Sequence, residues 1–229
     1  MNNMFMAMLA AATARVEVPV DGSTGVWIKE GATVISSGMK MTGATVSSGA
    51  TQTLYTRGLT TDNTVLTGGR MNVSSGGTAT GAKLSAGWGY VYAGGLTSGA
   101  IVYANARMYV YTGAVTSNDA MSAGLYYVSS GGTAAGLTVS NGNAYVHANG
   151  TASGAICKGG ALNLVGGKAY DTTIERNGRI NISANASASG VIVSSGGRLE
   201  IFSGGTALAV VSSAGATVNV AEGGYIEYA

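Results

Sequence analysis

The feature that most constrains the fold of this chain is a repeat of 18 or 19 residues. The phrase VSSGGTA occurs at residues 73–79 and again at residues 128–134. Aligning the chain on the apolar residue that opens this phrase yields a first ladder, consisting of Ile35, Leu54, Val73, Val91, Val110, Val128, Val146, Leu164, Ile182, Ile201 and Val220. A second ladder follows about eleven residues later in each unit, and consists of Ile28, Val46, Val65, Leu84, Val102, Met121, Val139, Cys157, Ile174, Val193 and Val211. Two apolar ladders with one period predict a repeat protein whose units stack on each other.

Short strands joined by tight turns are predicted within each unit. The chain contains 38 Gly and 1 Pro among 229 residues, and its apolar stretches are short and bounded by Gly, Ser and Asn. These are strand and turn signals, whereas helical repeats need longer periodic stretches. Inward and outward residues alternate around the ladder, with Met71 inward, Asn72 outward and Val73 inward. We therefore predict an all-β parallel β-helix of about eleven coils with SSGG corners, forming a rod roughly 50 Å long.

The two ends of the chain receive separate predictions. Residues 25–229 are assigned to the β-helix, and residues 1–24 to an N-terminal cap or leader segment. The apolar run 4–12 followed by ATA has the form of a signal-peptide remnant, but no Lys or Arg precedes it and it is too short to span a bilayer. We prefer a short helical cap, because Ala, Met and Leu are strong helix formers. At the other end, GGYIEYA stops in mid-coil, so we expect it to continue into a further segment or to dock on a partner or a second copy.

Several units resemble a known family. The segments GGTATGAKLSAG and GGTAAGLTVSNG are similar to the passenger repeats of AIDA-type self-associating autotransporter adhesins, and the resemblance covers residues 31–224. It implies a right-handed parallel β-helix, secreted to a bacterial cell surface, that acts in adhesion, autoaggregation or biofilm formation. It also implies O-glycosylation of repeat hydroxyls with heptose, for which the acceptors would be Ser74, Ser75, Ser129 and Ser130. Because no translocator barrel follows and no extended signal peptide precedes, we expect a passenger fragment, or the same repeat used in a phage fibre or surface filament.

Catalysis, cofactors and metal binding are not expected. The acids are scattered and do not recur at one ladder position on adjacent coils, as their positions indicate: Glu30, Asp62, Asp119, Asp171, Glu175, Glu200 and Glu222. Acid–base catalysis and calcium binding need such groups in clusters. The single histidine, His147, lies outward, and the single cysteine, Cys157, lies in an inward ladder as a small core residue. The 12 Lys and Arg form no basic run, which argues against nucleic-acid binding, and no stretch is long enough to span a membrane.

The candidate functional surface is an aromatic strip. The outward residue before each first-ladder position is, in order along the rod, Val34, Thr53, Asn72, Tyr90, Tyr109, Tyr127, Tyr145, Asn163, Asn181, Glu200 and Asn219. Tyr92, Tyr111 and His147 lie one residue after the ladder on the same face. The predicted strip comprises Tyr90, Tyr92, Tyr109, Tyr111, Tyr127, Tyr145 and His147. Such rings stabilise stacked strands by themselves, provide a surface for self-association or partner docking, or stack on glycans.

We therefore predict a non-catalytic, extracellular or cell-surface β-helix that functions in adhesion, self-association or biofilm formation through this strip. The expected partners are a second copy, contacted laterally or end to end, or a glycan or protein of a host or bacterial surface. One alternative is a structural subunit of a phage tail fibre or extracellular filament, located on a virion in the first case, that assembles through its C-terminal coil. Another alternative is a carbohydrate-binding or carbohydrate-active β-helix.

Overall fold

Each turn of the chain contributes one strand to each of three parallel sheets that run along a β-helix. The computed structural model describes residues 15–17 and 22–229. The first sheet contains twelve strands, which are β1 (Arg15–Glu17), β4 (Ala32–Ile35), β7 (Thr51–Leu54), β10 (Arg70–Val73), β13 (Trp88–Val91), β16 (Arg107–Val110), β19 (Leu125–Val128), β22 (Asn143–His147), β25 (Ala161–Val165), β28 (Arg179–Ile182), β31 (Arg198–Ile201) and β33 (Thr217–Val220).

The second and third sheets are built from shorter strands. The second contains β2 (Ser23–Thr24), β5 (Lys40–Thr42), β8 (Leu59–Thr61), β11 (Thr78–Thr80), β14 (Leu96–Ser98), β17 (Val115–Ser117), β20 (Thr133–Ala135), β23 (Thr151–Ser153), β26 (Lys168–Tyr170), β29 (Ser187–Ser189), β32 (Thr206–Ser212) and β34 (Tyr225–Tyr228). The third contains β3 (Trp27–Ile28), β6 (Thr45–Val46), β9 (Thr64–Val65), β12 (Lys83–Leu84), β15 (Ile101–Val102), β18 (Ala120–Met121), β21 (Thr138–Val139), β24 (Ile156–Cys157), β27 (Thr173–Ile174) and β30 (Ile192–Val193). The long strand β32 pairs with both sheets and joins them.

The register places equivalent residues of successive coils directly above one another. Every pairing between these strands is parallel, and Asn72 pairs with Tyr90 as Val73 pairs with Val91. This stacking confirms the predicted all-β parallel β-helix of about eleven coils. Among residues 15–17 and 22–229, the structure contains no helix long and apolar enough to cross a membrane.

The interior is narrow, and the sequence alternates to fill it. In most strands of the first sheet, accessible and buried residues alternate, as in Thr51–Leu54, because successive strand residues point to opposite faces. The two predicted ladders line the interior except at their last members, Val220 and Val211, which are 41% and 50% exposed, and Cys157 is fully buried in the second ladder. The middle inward residue of each second-sheet strand is small in most coils, as with Ala79, Ala134 and Ala152, which leaves room for the larger ladder residues opposite.

The SSGG corner needs its two glycines for different reasons. Gly76 has φ +76°, a left-handed conformation that favours glycine. Gly77 faces the coil below, where a Cβ atom would lie 2.5 Å from the carbonyl oxygen of Leu54. Gly131 and Gly132 of the second VSSGGTA phrase repeat both features. The phrase recurs because each coil must turn closely over the one below it.

The last member of the second ladder was predicted wrongly. Val211 is 50% exposed, and Ser212 takes its expected place opposite Val193. No corner separates two strands here, because β32 is continuous through Ala209, which has φ +49°. The register of β32 against β34 shifts between Ala207 and Val210. Val210 is the inward residue of this coil instead. Val34 keeps its predicted place in the outward column, in register with Thr53, but it is buried at 4% exposed.

The predicted N-terminal cap lies largely outside the described residues. Of the segment 1–24, residues 15–17 and 22–24 are described. Arg15–Glu17 pairs with β4 and Ser23–Thr24 pairs with β5, so these residues continue the register of the coil that follows. At the other end, β34 pairs with β32, and Tyr225 and Tyr228 are both exposed.

Candidate functional site

The predicted aromatic residues converge on the outer face of the first sheet. Strand pairing places Tyr90, Tyr109, Tyr127 and Tyr145 in one column on successive coils. Their ring centroids are 5.1, 5.0 and 5.3 Å apart, and successive rings are within 12° of parallel. The column spacing follows the distance between hydrogen-bonded strands of about 4.8 Å, so the backbone sets the ring spacing.

A second, parallel column lies beside the first. Tyr92 and Tyr111 stack on each other with ring centroids 5.1 Å apart. Tyr90 and Tyr92, and likewise Tyr109 and Tyr111, lie side by side at 6.3 Å, and the His147 ring lies 6.4 Å from that of Tyr127. We refer to all seven predicted residues together as the tyrosine strip.

The strip exposes ring edges rather than ring faces. Within the column, each ring covers the face of its neighbour, which is the offset-stacked arrangement that aromatic pairs favour. Most rings are half-buried, and Tyr92 is the most accessible at 39% exposed. The accessible surface of the strip therefore consists largely of ring edges and phenolic groups, which combine apolar contact area with hydrogen-bonding capacity.

Three phenols of the strip, those of Tyr92, Tyr111 and Tyr127, have a raised pKa. Burial raises the pKa of Tyr92, and the neighbouring Tyr90 raises it further. Burial, followed by the adjacent tyrosines, also raises the pKa of Tyr111 and Tyr127. A charged phenolate is disfavoured because it would lose solvation and repel the next ring. The neutral form of these three phenols is therefore favoured.

A cationic and aromatic edge borders the strip, and sequence reasoning missed it. The first residues of β10, β13 and β16 are Arg70, Trp88 and Arg107, which stack in register two residues before the tyrosine column. The Arg70 guanidinium carbon lies 5.1 Å from the centroid of the Trp88 ring, within cation–π range. Reading every outward column of the repeat, rather than one, would have revealed this edge.

The predicted glycosylation positions lie at the SSGG corners. Ser75 and Ser130 are exposed, whereas Ser74 and Ser129 are half-buried. Ser75 lies directly below Gly94 of the next coil, where a Cβ atom would meet its hydroxyl oxygen at 3.0 Å. Gly94 thus keeps the Ser75 side chain clear of a neighbouring side chain.

One acid proves to be internal, and sequence reasoning missed this as well. Asp119 is buried, accepts a hydrogen bond from the Ala100 amide at 2.8 Å and another from the Tyr126 hydroxyl at 2.7 Å. Thr116 also bonds to the Tyr126 hydroxyl, at 2.6 Å. Burial raises the pKa of Asp119 to about 6, and the hydrogen bonds only partly oppose this rise. The signal was available, since Asp119 precedes the ladder residue Met121 by two positions and must therefore point inward.

The cluster around Asp119 is sealed inside the coil and offers no route to a substrate. Asp171 is exposed at another corner, and Cys157 is buried with its pKa raised to about 12, mainly by burial. Within residues 15–17 and 22–229, no three His, Cys, Asp or Glu side chains lie close enough to hold a metal ion. The tyrosine strip is therefore the candidate functional site.

The fold and the strip together define a parallel β-helix with a patterned outer face, and comparison with known proteins places it in a family. The chain is similar to the crystal structure of a TibA fragment that was hyper-glycosylated by TibC, with 31% identity and a TM-score of 0.85 over 94% of this chain and 85% of that one. No protein-family model and no curated protein matches the sequence. The chain belongs to the AIDA-type autotransporter adhesin passengers.

Proposed function

We propose that this chain is a non-catalytic adhesin passenger, displayed on a bacterial surface, that associates laterally with other copies of itself through the tyrosine strip. Support comes from its membership of an adhesin passenger family and from the two columns of parallel rings on one face. The observation that carries the proposal is the continuous Tyr90–Tyr145 column, because a row of accessible aromatic side chains is typical of protein interfaces.

The geometry of the strip suits contact between two rods. Ring centroids recur every 5.0 to 5.3 Å, so two rods that lie side by side repeat one contact on several coils. Each contact is weak, but contacts within one rod pair add because the first brings the others together. The rings are already held by their neighbours, which lowers the entropy lost on binding. The raised pKa of Tyr92, Tyr111 and Tyr127 also disfavours phenolate charges that would repel another copy.

Glycan stacking on the strip is less well supported. A sugar stacks on the face of an aromatic ring, and in the column each face is covered by the next tyrosine at 5.0 to 5.3 Å. Edges and hydroxyls are better suited to another protein surface, where aromatic pairs also form edge-to-face contacts.

The test replaces the four column tyrosines with serine, at positions 90, 109, 127 and 145, and measures association by sedimentation velocity across a concentration series. A matched control replaces four polar members of the same column with serine, namely Asn72, Asn163, Asn181 and Asn219. We expect the tyrosine variant to remain monomeric at concentrations where the parent and the control associate. Far-ultraviolet circular dichroism establishes that both variants keep their β structure.

Two outcomes would contradict lateral association through the strip. One is association of the tyrosine variant at the parental concentration. The other is loss of association on deletion of residues 224–229 with an intact strip, which would favour end-to-end docking as in a filament.

We further propose that the corner serines Ser74, Ser75, Ser129 and Ser130 accept O-linked heptose. The TibA fragment is hyper-glycosylated by TibC, and the exposed Ser75 and Ser130 are accessible from solvent. Coexpression with TibC followed by peptide mass spectrometry tests this. We expect modification first at Ser75 and Ser130, and an unmodified intact mass would refute the proposal.

A further inference from the structure

A polar groove crosses four coils at the corner where the third sheet turns into the first. Its volume is about 390 Å³, and Asn143, Ala161, Asn177, Arg179 and Arg198 line it. Asn143, Ala161, Arg179 and Arg198 are the first residues of four successive first-sheet strands, β22, β25, β28 and β31. The groove therefore runs along the rod for three coil steps, or roughly 14 Å at the strand spacing.

The groove exists because side chains are missing from its floor. Ala161 pairs with Asn143 below and Arg179 above, so a methyl group stands where the same column elsewhere holds Trp88 or Leu125. Glycines complete the floor, and they cannot be replaced without strain. A Cβ atom at Gly178 would lie 2.0 Å from the carbonyl oxygen of Cys157, and one at Gly160 would lie 2.7 Å from that of Gly142. The close stacking of the coils thus keeps the groove open.

Stacking also concentrates positive charge at this corner. Arg179 and Arg198 are partners in the parallel register. Lys158 directly precedes the lining residue Gly159, and Arg176 directly precedes Asn177. Four of the 12 Lys and Arg therefore lie at one corner, although they are spread over 41 residues of sequence. All four are exposed.

Few acids oppose this charge. Glu200 Oε1 lies 3.1 Å from Arg198 Nε, and this pair is partly exposed. Glu175 precedes Arg176 at the rim and is half-buried. No carboxylate of the described residues lies within ion-pair distance of Arg179. The Arg179 guanidinium is therefore available to an external anion.

We propose that this groove binds an acidic saccharide, specifically a short uronate-containing segment of a surface polysaccharide. The planar guanidinium of Arg179 matches a carboxylate with two parallel hydrogen bonds. The amides of Asn143 and Asn177 both donate and accept, which suits sugar hydroxyls. The length of the groove fits a chain of sugars better than a single small anion. Its lining contains no aromatic ring on which nucleic-acid bases would stack.

This site is separate from the proposed self-association surface, although the two adjoin. Asn143 precedes Tyr145 by two residues on the same strand, so the groove begins where the tyrosine strip ends. When two rods associate laterally through their tyrosine strips, the groove, which lies at the other half of the same sheet, stays accessible. Lateral association is expected to be unchanged in groove variants, which keeps the two proposals separately testable.

The experiment measures binding of a trigalacturonate oligomer by isothermal titration calorimetry, with the neutral maltotriose as the comparison ligand. The test variant is Arg179→Gln with Arg198→Gln. The matched control is Lys40→Gln with Lys83→Gln, which removes the same charge from exposed strand positions remote from the groove. We expect the affinity of the test variant to fall at least about tenfold, as loss of a charged hydrogen bond predicts, and that of the control to stay within about twofold. Binding to the parent should weaken as salt is raised.

A second variant separates shape from charge. Ala161→Leu keeps every cation and introduces a side chain that the column already accommodates at Leu125, so we expect a folded rod with the groove blocked and binding reduced. Three results would overturn the proposal: equal binding of maltotriose and trigalacturonate, unchanged affinity in the double arginine variant, or tighter binding of a single-stranded DNA trimer. Binding of inorganic phosphate without any binding of trigalacturonate would also overturn it.

Discussion

The outer face of the first sheet has two halves that share one backbone and differ in chemistry. From Tyr90 to Tyr145 the central column consists of stacked rings, whereas from Asn163 to Asn219 it consists of hydrogen-bonded polar side chains. Asn181 donates to Asn163 at 2.7 Å, and Asn219 donates to Glu200 at 3.0 Å. The register is the same in both halves, so the backbone fixes the spacing and the residue type at one position selects the interaction.

The interior of the two halves differs in one inward column. Beneath the aromatic half, the core contains the hydrogen-bonded group of Asp119, Tyr126 and Thr116. Beneath the polar half, the corresponding inward column is apolar, with Leu162, Ile180 and Leu199 all fully buried. Apolar ladder residues such as Val110 and Ile182 are buried in both halves, and the aromatic half adds satisfied buried hydrogen bonds where the polar half adds further apolar burial.

The largest expected effect comes from removing the key buried residue of each interior. Tyr126→Ala deletes a fully buried ring and takes a donor from the buried Asp119, so we expect the free energy of unfolding to fall by about 4–5 kcal/mol. Leu162→Ala, in the same inward column, should cost about 3 kcal/mol because it leaves only a cavity. Urea unfolding followed by circular dichroism measures both. A Leu162→Ala variant that is less stable than Tyr126→Ala would contradict the proposed difference between the two interiors.

The next effect is a pH dependence confined to the aromatic half. The pKa of Asp119 is raised from 3.8 to about 6 in the folded chain, so the folded state holds a proton that the unfolded state has released between these values. Stability is therefore greatest below about pH 4 for this group and falls as pH rises towards 6 and beyond, by about 3 kcal/mol in total.

Asp119→Asn should remove this slope, and Asp171→Asn, an exposed acid, serves as the control. The measurement is the unfolding free energy between pH 4 and pH 7. A parental slope of the opposite sign, or one that persists in Asp119→Asn, would show that another group is responsible.

The smallest effect on stability is expected from moving the boundary between the halves. Asn163→Tyr places a fifth ring above Tyr145, which adds about 1 kcal/mol of stacking but removes the hydrogen bonds of Asn163 with Asn181 and the Ala144 carbonyl. These terms largely cancel, so stability should change by less than about 1 kcal/mol while lateral association becomes stronger. Asn181→Tyr, separated from Tyr145 by one coil, is the control in sedimentation velocity. Equal strengthening in both variants would mean that column continuity is unimportant.

Features that depend on strand alternation and on the repeat period could be predicted from the sequence. Val73 and Val91 were placed inward, and Tyr109 next to Tyr127, because strand alternation and a fixed period are local properties of the sequence. The same rule applied to Asp119 would have placed it inside the coil. Val211 was misplaced because the ladder was continued from Val193 by 18 residues, whereas the strand pairing advances by 19 and places Ser212 opposite Val193.

The sequence by itself determined the coil, the sheet in which each ladder lies and the row of tyrosines, since periodicity needs only the order of residues. Only the tertiary structure decided that the tyrosine rings cover one another's faces and that Asp119 meets Tyr126. It also brought Ala161, Arg179 and Arg198 together as one groove. The physical reason is that stacking converts separations of 18 or 19 residues into a few ångströms, so the properties of a column depend on residues from several coils at once.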